Sequence, residues 1–267
     1  MRTGLLLMWM VLGFFSCKSG AESETQNSEN IPVMQEPANL SYQILKVYPH
    51  DTSSFTQGLE WYKDQLWEGT GWYMESKLLQ TDFATGKAIK KVKLPDNEFG
   101  EGITIFKDKI YQLTWQEHKV YQYDAKTLKV EKTFDWPYEG WGLTHNDTAL
   151  IISTGGSNIY WVNPATFSIV KTLGVTDNNG YVDSINELEW VDGFLYANKY
   201  LTDYILKIDP ASGLVVGRMN LAGLLQQTNQ PVSTNTDVLN GIAFRPSTKS
   251  FFITGKRWPA MYEIKLN

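Results

Sequence analysis

From about residue 41 onward the chain alternates apolar and polar residues in short runs broken by turn-forming residues. Alternation with a period of two is the pattern of half-buried β-strands. One unit recurs along the chain. It begins with a polar or aromatic residue and then, in most copies, a glycine, and it continues as an alternating strand. The copies are Gln57-Gly58-Leu59-Glu60-Trp61, Glu101-Gly102-Ile103-Thr104-Ile105, Trp141-Gly142-Leu143-Thr144, Asn186-Glu187-Leu188-Glu189-Trp190 and Asn240-Gly241-Ile242-Ala243-Phe244. Their second positions are spaced 44, 40, 45 and 54 residues apart, and in the fourth copy Glu187 replaces the glycine. A second strand follows each motif and ends thirteen residues after its second position, at Gly71, Trp115, Gly155 and Tyr200. In the fifth copy a longer hairpin, residues 245–250, moves the matching residue to Lys256, fifteen on.

Third strands such as Val120-Tyr121-Gln122-Tyr123-Asp124 and Ile205-Leu206-Lys207-Ile208-Asp209 end in Asp or Asn and lead into a short turn. Asp and Asn cap such turns with their side chains, and glycine supplies the positive φ they need. A fourth alternating strand follows each turn. Four short strands per 40–45 residues describe one blade of a β-propeller. The expected fold is therefore all-β, a five-bladed β-propeller. The last repeat ends after its third strand, and the lone strand Tyr42–Tyr48 is expected to supply its fourth, covering the open edges. A β-sandwich of repeated hairpins is the alternative, and five aligned copies argue against it.

The 267 residues, 42% of them hydrophobic, suffice for one large domain and its core. An aromatic content of 13% suits strands, and a net charge of -5 lacks the basic face that nucleic-acid binding needs. One cysteine excludes an intrachain disulfide, and with only three histidines it leaves almost no room for a Cys/His zinc site. No nucleophile triad and no glycine-rich phosphate loop is present; His118 and His145 read as solvated turn residues. Residues 1–17 have a positive Arg2, an apolar stretch too short to span a bilayer, and Cys17 at the end. This pattern resembles a bacterial lipoprotein signal with Cys17 as the lipidated residue. Residues 18–40, polar and acidic, read as a flexible tether, and 41–267 as the propeller. The expected location is outside the cytoplasm, anchored to a membrane on its periplasmic, outer-membrane or cell-surface side.

In a propeller the first strands line the central channel, so equivalent repeat positions form rings. One ring comprises Gln57, Glu101, Trp141, Asn186 and Asn240, and a second Gly71, Trp115, Gly155, Tyr200 and Lys256. Phe55 and Phe99, each two residues before the first ring, add apolar wall. Apolar walls with a few convergent polar groups describe a small-ligand site, whereas channel residues that merely hold water are the plainer alternative. Glu101 is the acid of the inner ring. Burial should raise its pKa and Lys256 lower it, a balance suited to moving a proton.

Several segments together resemble the plant-type (type I) glutaminyl cyclase family, which also occurs in bacteria. They are residues 50–59, Phe99-Gly100-Glu101-Gly102-Ile103-Thr104, Gly140-Trp141-Gly142-Leu143-Thr144, Asn186-Glu187-Leu188-Glu189-Trp190, Leu239-Asn240-Gly241-Ile242-Ala243 and Thr254-Gly255-Lys256-Arg257-Trp258-Pro259. The resemblance spans about residues 43–266. It implies a five-bladed propeller that converts N-terminal glutamine of peptides or proteins to pyroglutamate, releases ammonia, and uses neither metal nor cofactor. It implies Glu101 as the catalytic acid/base and Phe55, Gln57, Phe99, Trp115, Trp141, Asn186 and Lys256 as substrate-binding residues. Tyr200 falls where the family has tryptophan. The expected partners are peptides beginning with glutamine and a membrane, reached through the lipid anchor; no nucleic acid is involved, and the protein is expected to be monomeric. A cation-dependent, lactonase-like propeller, distinguished by sensitivity to chelators, and a non-catalytic surface propeller are the competing readings.

Overall fold

The structure, a computed structural model, describes residues 35–227 and 230–267. The expected signal at 1–17 and most of the tether lie outside them. Five antiparallel sheets form five blades. Their innermost strands are Thr56–Tyr62, Gly100–Phe106, Leu143–His145, Ile185–Val191 and Leu239–Arg245. These strands are buried along almost their whole length, whereas outer strands such as Lys87–Lys93 are mostly exposed. The inner strands alternate apolar residues with buried polar ones such as Glu60, Thr104 and Glu187, whereas the outer strand of blade one is rich in lysine. The expected closure is present. Tyr42–Pro49 pairs antiparallel with Ala260–Leu266, from Tyr42 opposite Leu266 to Pro49 opposite Ala260.

Among the described residues the core separates into five clusters, one between each pair of neighbouring blades. Trp67, Ile103 and Tyr123 join blades one and two. Leu113, Trp136 and Ile152 join two and three, and Trp161, Leu188 and Leu206 join three and four. Tyr196, Phe251 and Tyr262 join four and five; Trp61, Phe252 and Tyr48 close the ring between five and one. Each blade is thus stabilised by burying both faces against its neighbours.

The ring glycines follow from this crowding. A Cβ on Gly58 would lie 2.5 Å from the Ile103 nitrogen, one on Gly102 2.6 Å from the Leu143 nitrogen, and one on Gly142 2.0 Å from the Asn186 carbonyl oxygen. Glu187, in the same repeat position, is fully buried and uses its carboxylate as a bridge. It accepts hydrogen bonds from the backbone N–H of Leu59 (3.0 Å) and Ile242 (2.9 Å), tying blade four to blades one and five.

The expected turns form. Asp82, Asp124, Asn163 and Asp209 accept a hydrogen bond from the backbone N–H of Ala84, Thr127, Ala165 and Ala211 respectively, at 2.8–2.9 Å. Glycine fills the left-handed position in two of these turns, Gly86 (φ 70°) and Gly213 (φ 81°), but Leu128 and Phe167 fill it in the other two, both at φ 57°.

Two expectations need correction. The C-terminal end of the tether is not free chain. Ala38–Asn39 adds a parallel strand to the outer edge of blade four, opposite Gly217 and Arg218, with Glu36 paired to Arg218 at 2.7 Å. The unpaired edge of Val215–Asn220 attracts it, as exposed strand edges do. His145 is not a solvated turn residue. It ends the inner strand of blade three, lies 2.8 Å from the Thr104 hydroxyl, and is held below the ordinary imidazole pKa by burial. His118, in contrast, is exposed in a turn at φ 57°.

Candidate active site

The starts of the inner strands and the ends of the second strands meet at one mouth of the ring. Backbone hydrogen bonds fix the register there: Gly71 N–H to Phe55 C=O (2.8 Å), Trp115 to Phe99 (3.0 Å), Tyr200 to Ser184 (2.8 Å) and Lys256 to Val238 (2.9 Å). In four blades the second-ring residue thus bonds to the residue two before the first ring. This register gathers residues some two hundred positions apart around a cavity of about 340 Å³, within the usual range for a small-ligand pocket.

Phe55, Gln57, Phe99, Glu101 and Trp115 line this cavity, as do Trp141, Asn186, Tyr200 and Lys256. All nine residues singled out in the sequence are thus placed together. Asn240, from the same ring, lies one layer behind. Its side-chain N–H2 donates to the Thr56 carbonyl (2.9 Å) and to Gln57 Oε1 (3.3 Å). That fixes the orientation of the Gln57 amide, whose Nε2 donates to Glu101 Oε1 at 3.0 Å. Gln57 therefore commits one N–H to holding the carboxyl of Glu101.

Gln57, Glu101, Asn186 and Lys256 are buried, while Phe99, Trp115, Trp141 and Tyr200 are half-buried walls. The rings form two groups of contacting walls. Phe99 meets Phe55 edge-on at 6.1 Å and Trp115 at 5.7 Å, and Trp141 meets Tyr200 edge-on at 5.4 Å. Glycine in the second ring makes room for them: a Cβ on Gly71 would lie 2.3 Å from the Phe99 ring, and one on Gly155 2.6 Å from the Trp141 indole.

Burial pushes the Glu101 pKa well above the ordinary carboxylate range. Lys256 opposes this, and the negative Glu139 and Glu117 add to it. Burial likewise lowers the Lys256 pKa, and Glu101 and Asp237 resist. The Lys256 ammonium lies 4.7 Å over the Phe55 ring and 5.0 Å over the Tyr200 ring, and it forms no ion pair among the described residues. Asn186 Oδ1 is buried without a hydrogen-bond partner among the described residues. Such an atom costs about 1–3 kcal/mol, which a substrate N–H would recover.

Two functional residues escaped the sequence reading. Glu139 accepts hydrogen bonds from both wall indoles on the same oxygen, Trp115 Nε1 at 2.8 Å and Trp141 Nε1 at 3.1 Å, and a third from Gln116 Nε2 at 3.2 Å. Burial alone would raise its pKa, but these donors outweigh that and hold it below the ordinary value. The signal was its repeat position, two residues before Trp141, where blades one and two carry Phe55 and Phe99. The other is Trp72, which lines the cavity immediately after Gly71.

The sequence profile described as Glutamine cyclotransferase matches residues 12–266. The chain belongs to the glutamine cyclotransferase family. It is 34% identical over 226 residues to the glutaminyl-peptide cyclotransferase of Arabidopsis thaliana, covering 84% of this chain and 71% of the relative. The crystal structure of Myxococcus xanthus glutaminyl cyclase superposes with a TM-score of 0.81 at 34% identity, covering 87% of this chain and 99% of that one. The enzyme is a glutaminyl cyclotransferase in family, fold and activity.

Proposed function

We propose that this cyclotransferase acts on peptides and proteins beginning with glutamine, with Glu101 carrying the proton that the reaction must move. The observation that supports this most strongly is a buried, high-pKa carboxyl on the wall of a small aromatic pocket, oriented by the Gln57 amide.

The substrate's α-amine attacks its own γ-carboxamide carbon. A carbon–nitrogen bond forms, the carbonyl π pair moves to oxygen, and a five-membered tetrahedral intermediate results. Glu101 accepts the proton shed by the amine and returns it to the carboxamide nitrogen. The C–N bond then breaks and ammonia leaves, while the oxygen pair re-forms the lactam carbonyl. One group with a pKa raised by burial serves both transfers. The Lys256 cation, without an ionic partner, stabilises the developing oxyanion; such a contribution is commonly worth about 3 kcal/mol. Asn186 Oδ1 accepts a substrate N–H. The aromatic walls hold the side chain curled toward its own amine, and because the reaction is intramolecular this ordering supplies much of the rate.

The mechanism uses no metal ion. Purified enzyme in EDTA is expected to remove one ammonia from a Gln-initiated peptide, read by mass spectrometry, and to leave an N-acetylated copy unchanged. Loss of activity in the chelator would instead favour a cation-dependent propeller.

We also propose that the enzyme is exported and anchored through a lipid on Cys17, supported by the short apolar stretch that ends at the only cysteine. Cys17→Ala should then move the protein from the membrane fraction to the soluble fraction; unchanged fractionation contradicts the anchor.

A further inference from the structure

The residues that follow the second ring in the sequence are Trp72, Gln116, Gly156, Leu201 and Arg257. Trp72 differs from the aromatic residues below it. Its ring is 5.1 Å from Phe55 and 6.4 Å from Phe99, in the same cavity as Glu101, yet the residue is 47% exposed. Arg257 reaches across from blade five, its guanidinium 5.4 Å from the Trp72 ring and 5.8 Å from Phe55. Arg257 is held in turn by Glu75 at 3.3 Å.

Both residues have left-handed backbone, as do the exposed Met74 and Leu201. Trp72 has φ 92° and Arg257 has φ 60°. A bulky residue at positive φ is strained, and Trp72 has the largest positive φ of any non-glycine residue among the described residues. Leu128 and Phe167 carry the same strain but recover it by burying their side chains. Trp72, half exposed, recovers little. Its carbonyl caps a tight turn, accepting from the Ser76 N–H and the Ser76 hydroxyl, both at 2.8 Å, so the indole stands on a fixed base.

Resting on the cyclotransferase reading, we infer that Trp72 and Arg257 form a subsite for the residue that follows the N-terminal glutamine, favouring an aromatic side chain there. The glutaminyl carbonyl continues into the rest of the peptide. Beneath Glu101 the inner strands approach so closely that Gly58, Gly102 and Gly142 admit no Cβ, so the peptide leaves through the mouth. Trp72 is the cavity-lining residue most open to solvent there, and it offers a large aromatic surface beside that exit. Aromatic side chains stack on such a surface with a defined geometry.

The test compares kcat/KM on Gln-Phe-amide and Gln-Gly-amide for wild type, Trp72→Gly and Trp72→Phe. Glycine accepts the φ of this position, so Trp72→Gly is expected to fold. Wild type should prefer Gln-Phe-amide. In Trp72→Gly that preference should fall about tenfold, mainly through KM, and Trp72→Phe should keep most of it. If Trp72→Gly slows both substrates equally, or neither, the subsite is refuted while the cyclotransferase reading stands. Failure of wild type on both dipeptides would overturn both.

Discussion

At Glu101 two demands compete. A proton carrier must be buried enough to hold its proton near neutral pH, yet a buried carboxyl beside a cation tends to ionise. Here burial dominates over Lys256, and Glu139 and Glu117 reinforce it. Glu139 thus acts twice, orienting the two indoles through hydrogen bonds and raising the Glu101 pKa through its charge. Glu139→Gln keeps an acceptor but removes the charge. The Glu101 pKa should fall, and the acid limb of the kcat/KM profile should shift to lower pH; a limb that stays in place would show that the charge of Glu139 does not reach the carrier. Tyr200 completes the aromatic wall. It keeps the edge contact to Trp141 and lies beneath the Lys256 ammonium. Residue identity at the site was largely legible because the repeat register aligned it. Glu139 was not, because an acid among aromatic positions reads as a break in the pattern until its two indole donors are seen.

At the scale of the element, the turns between third and fourth strands show how local rules yield to packing. Asp and Asn caps were legible from sequence and form in all four turns. The left-handed residue was legible only where it is glycine. At Leu128 and Phe167 a strain of about 1–2 kcal/mol is offset by burying a large side chain, worth about 1.5–3 kcal/mol. Leu128 packs with Ile105 and Tyr123 between blades one and two, and Phe167 stacks on Phe134 at 5.0 Å. Leu128→Gly should therefore destabilise the protein by about 1 kcal/mol despite relieving strain. A thermal melt that rises in this variant would mean that backbone strain, and not burial, dominates the turn. The strand at Ala38–Asn39 was illegible for a related reason: its residues have no strand pattern of their own, and the free edge of blade four supplies the pairing.

For the whole molecule, the ring explains both what could be read and what could not. Five repeats with one register were enough to expect five blades, the closing strand and the shared mouth. The contents of the channel below the mouth were not read, because Glu60, Glu187 and Glu189 look like the polar half of alternating strands. In the structure all three point inward and are buried. Burial raises the Glu60 pKa to about 8, against the lowering effect of Thr104 and Ile105, and it raises those of Glu187 and Glu189 well above normal. A carboxyl whose folded pKa lies above its unfolded value stabilises the fold fully below the unfolded value, and that stability is lost as pH rises through the folded value. Stability should therefore decline between about pH 4.5 and about pH 8, the window set by Glu60. Glu60→Gln, which keeps an acceptor and a donor but cannot ionise, should flatten the decline in a pH series of denaturant melts. An unchanged slope would place the titration elsewhere.

The measurement that bears most directly on the account is the pH dependence of kcat for Glu101→Gln beside wild type, on one Gln-initiated peptide, with folding of both confirmed by thermal melt. Glutamine preserves the hydrogen bond with Gln57 but cannot carry a proton. The expected result is a fall in kcat of about 10²–10⁴-fold and loss of the wild-type limb assigned to Glu101. A variant that turns over near the wild-type rate, with the same profile, would contradict Glu101 as the proton carrier and leave the pocket a binding site whose chemistry lies in another residue.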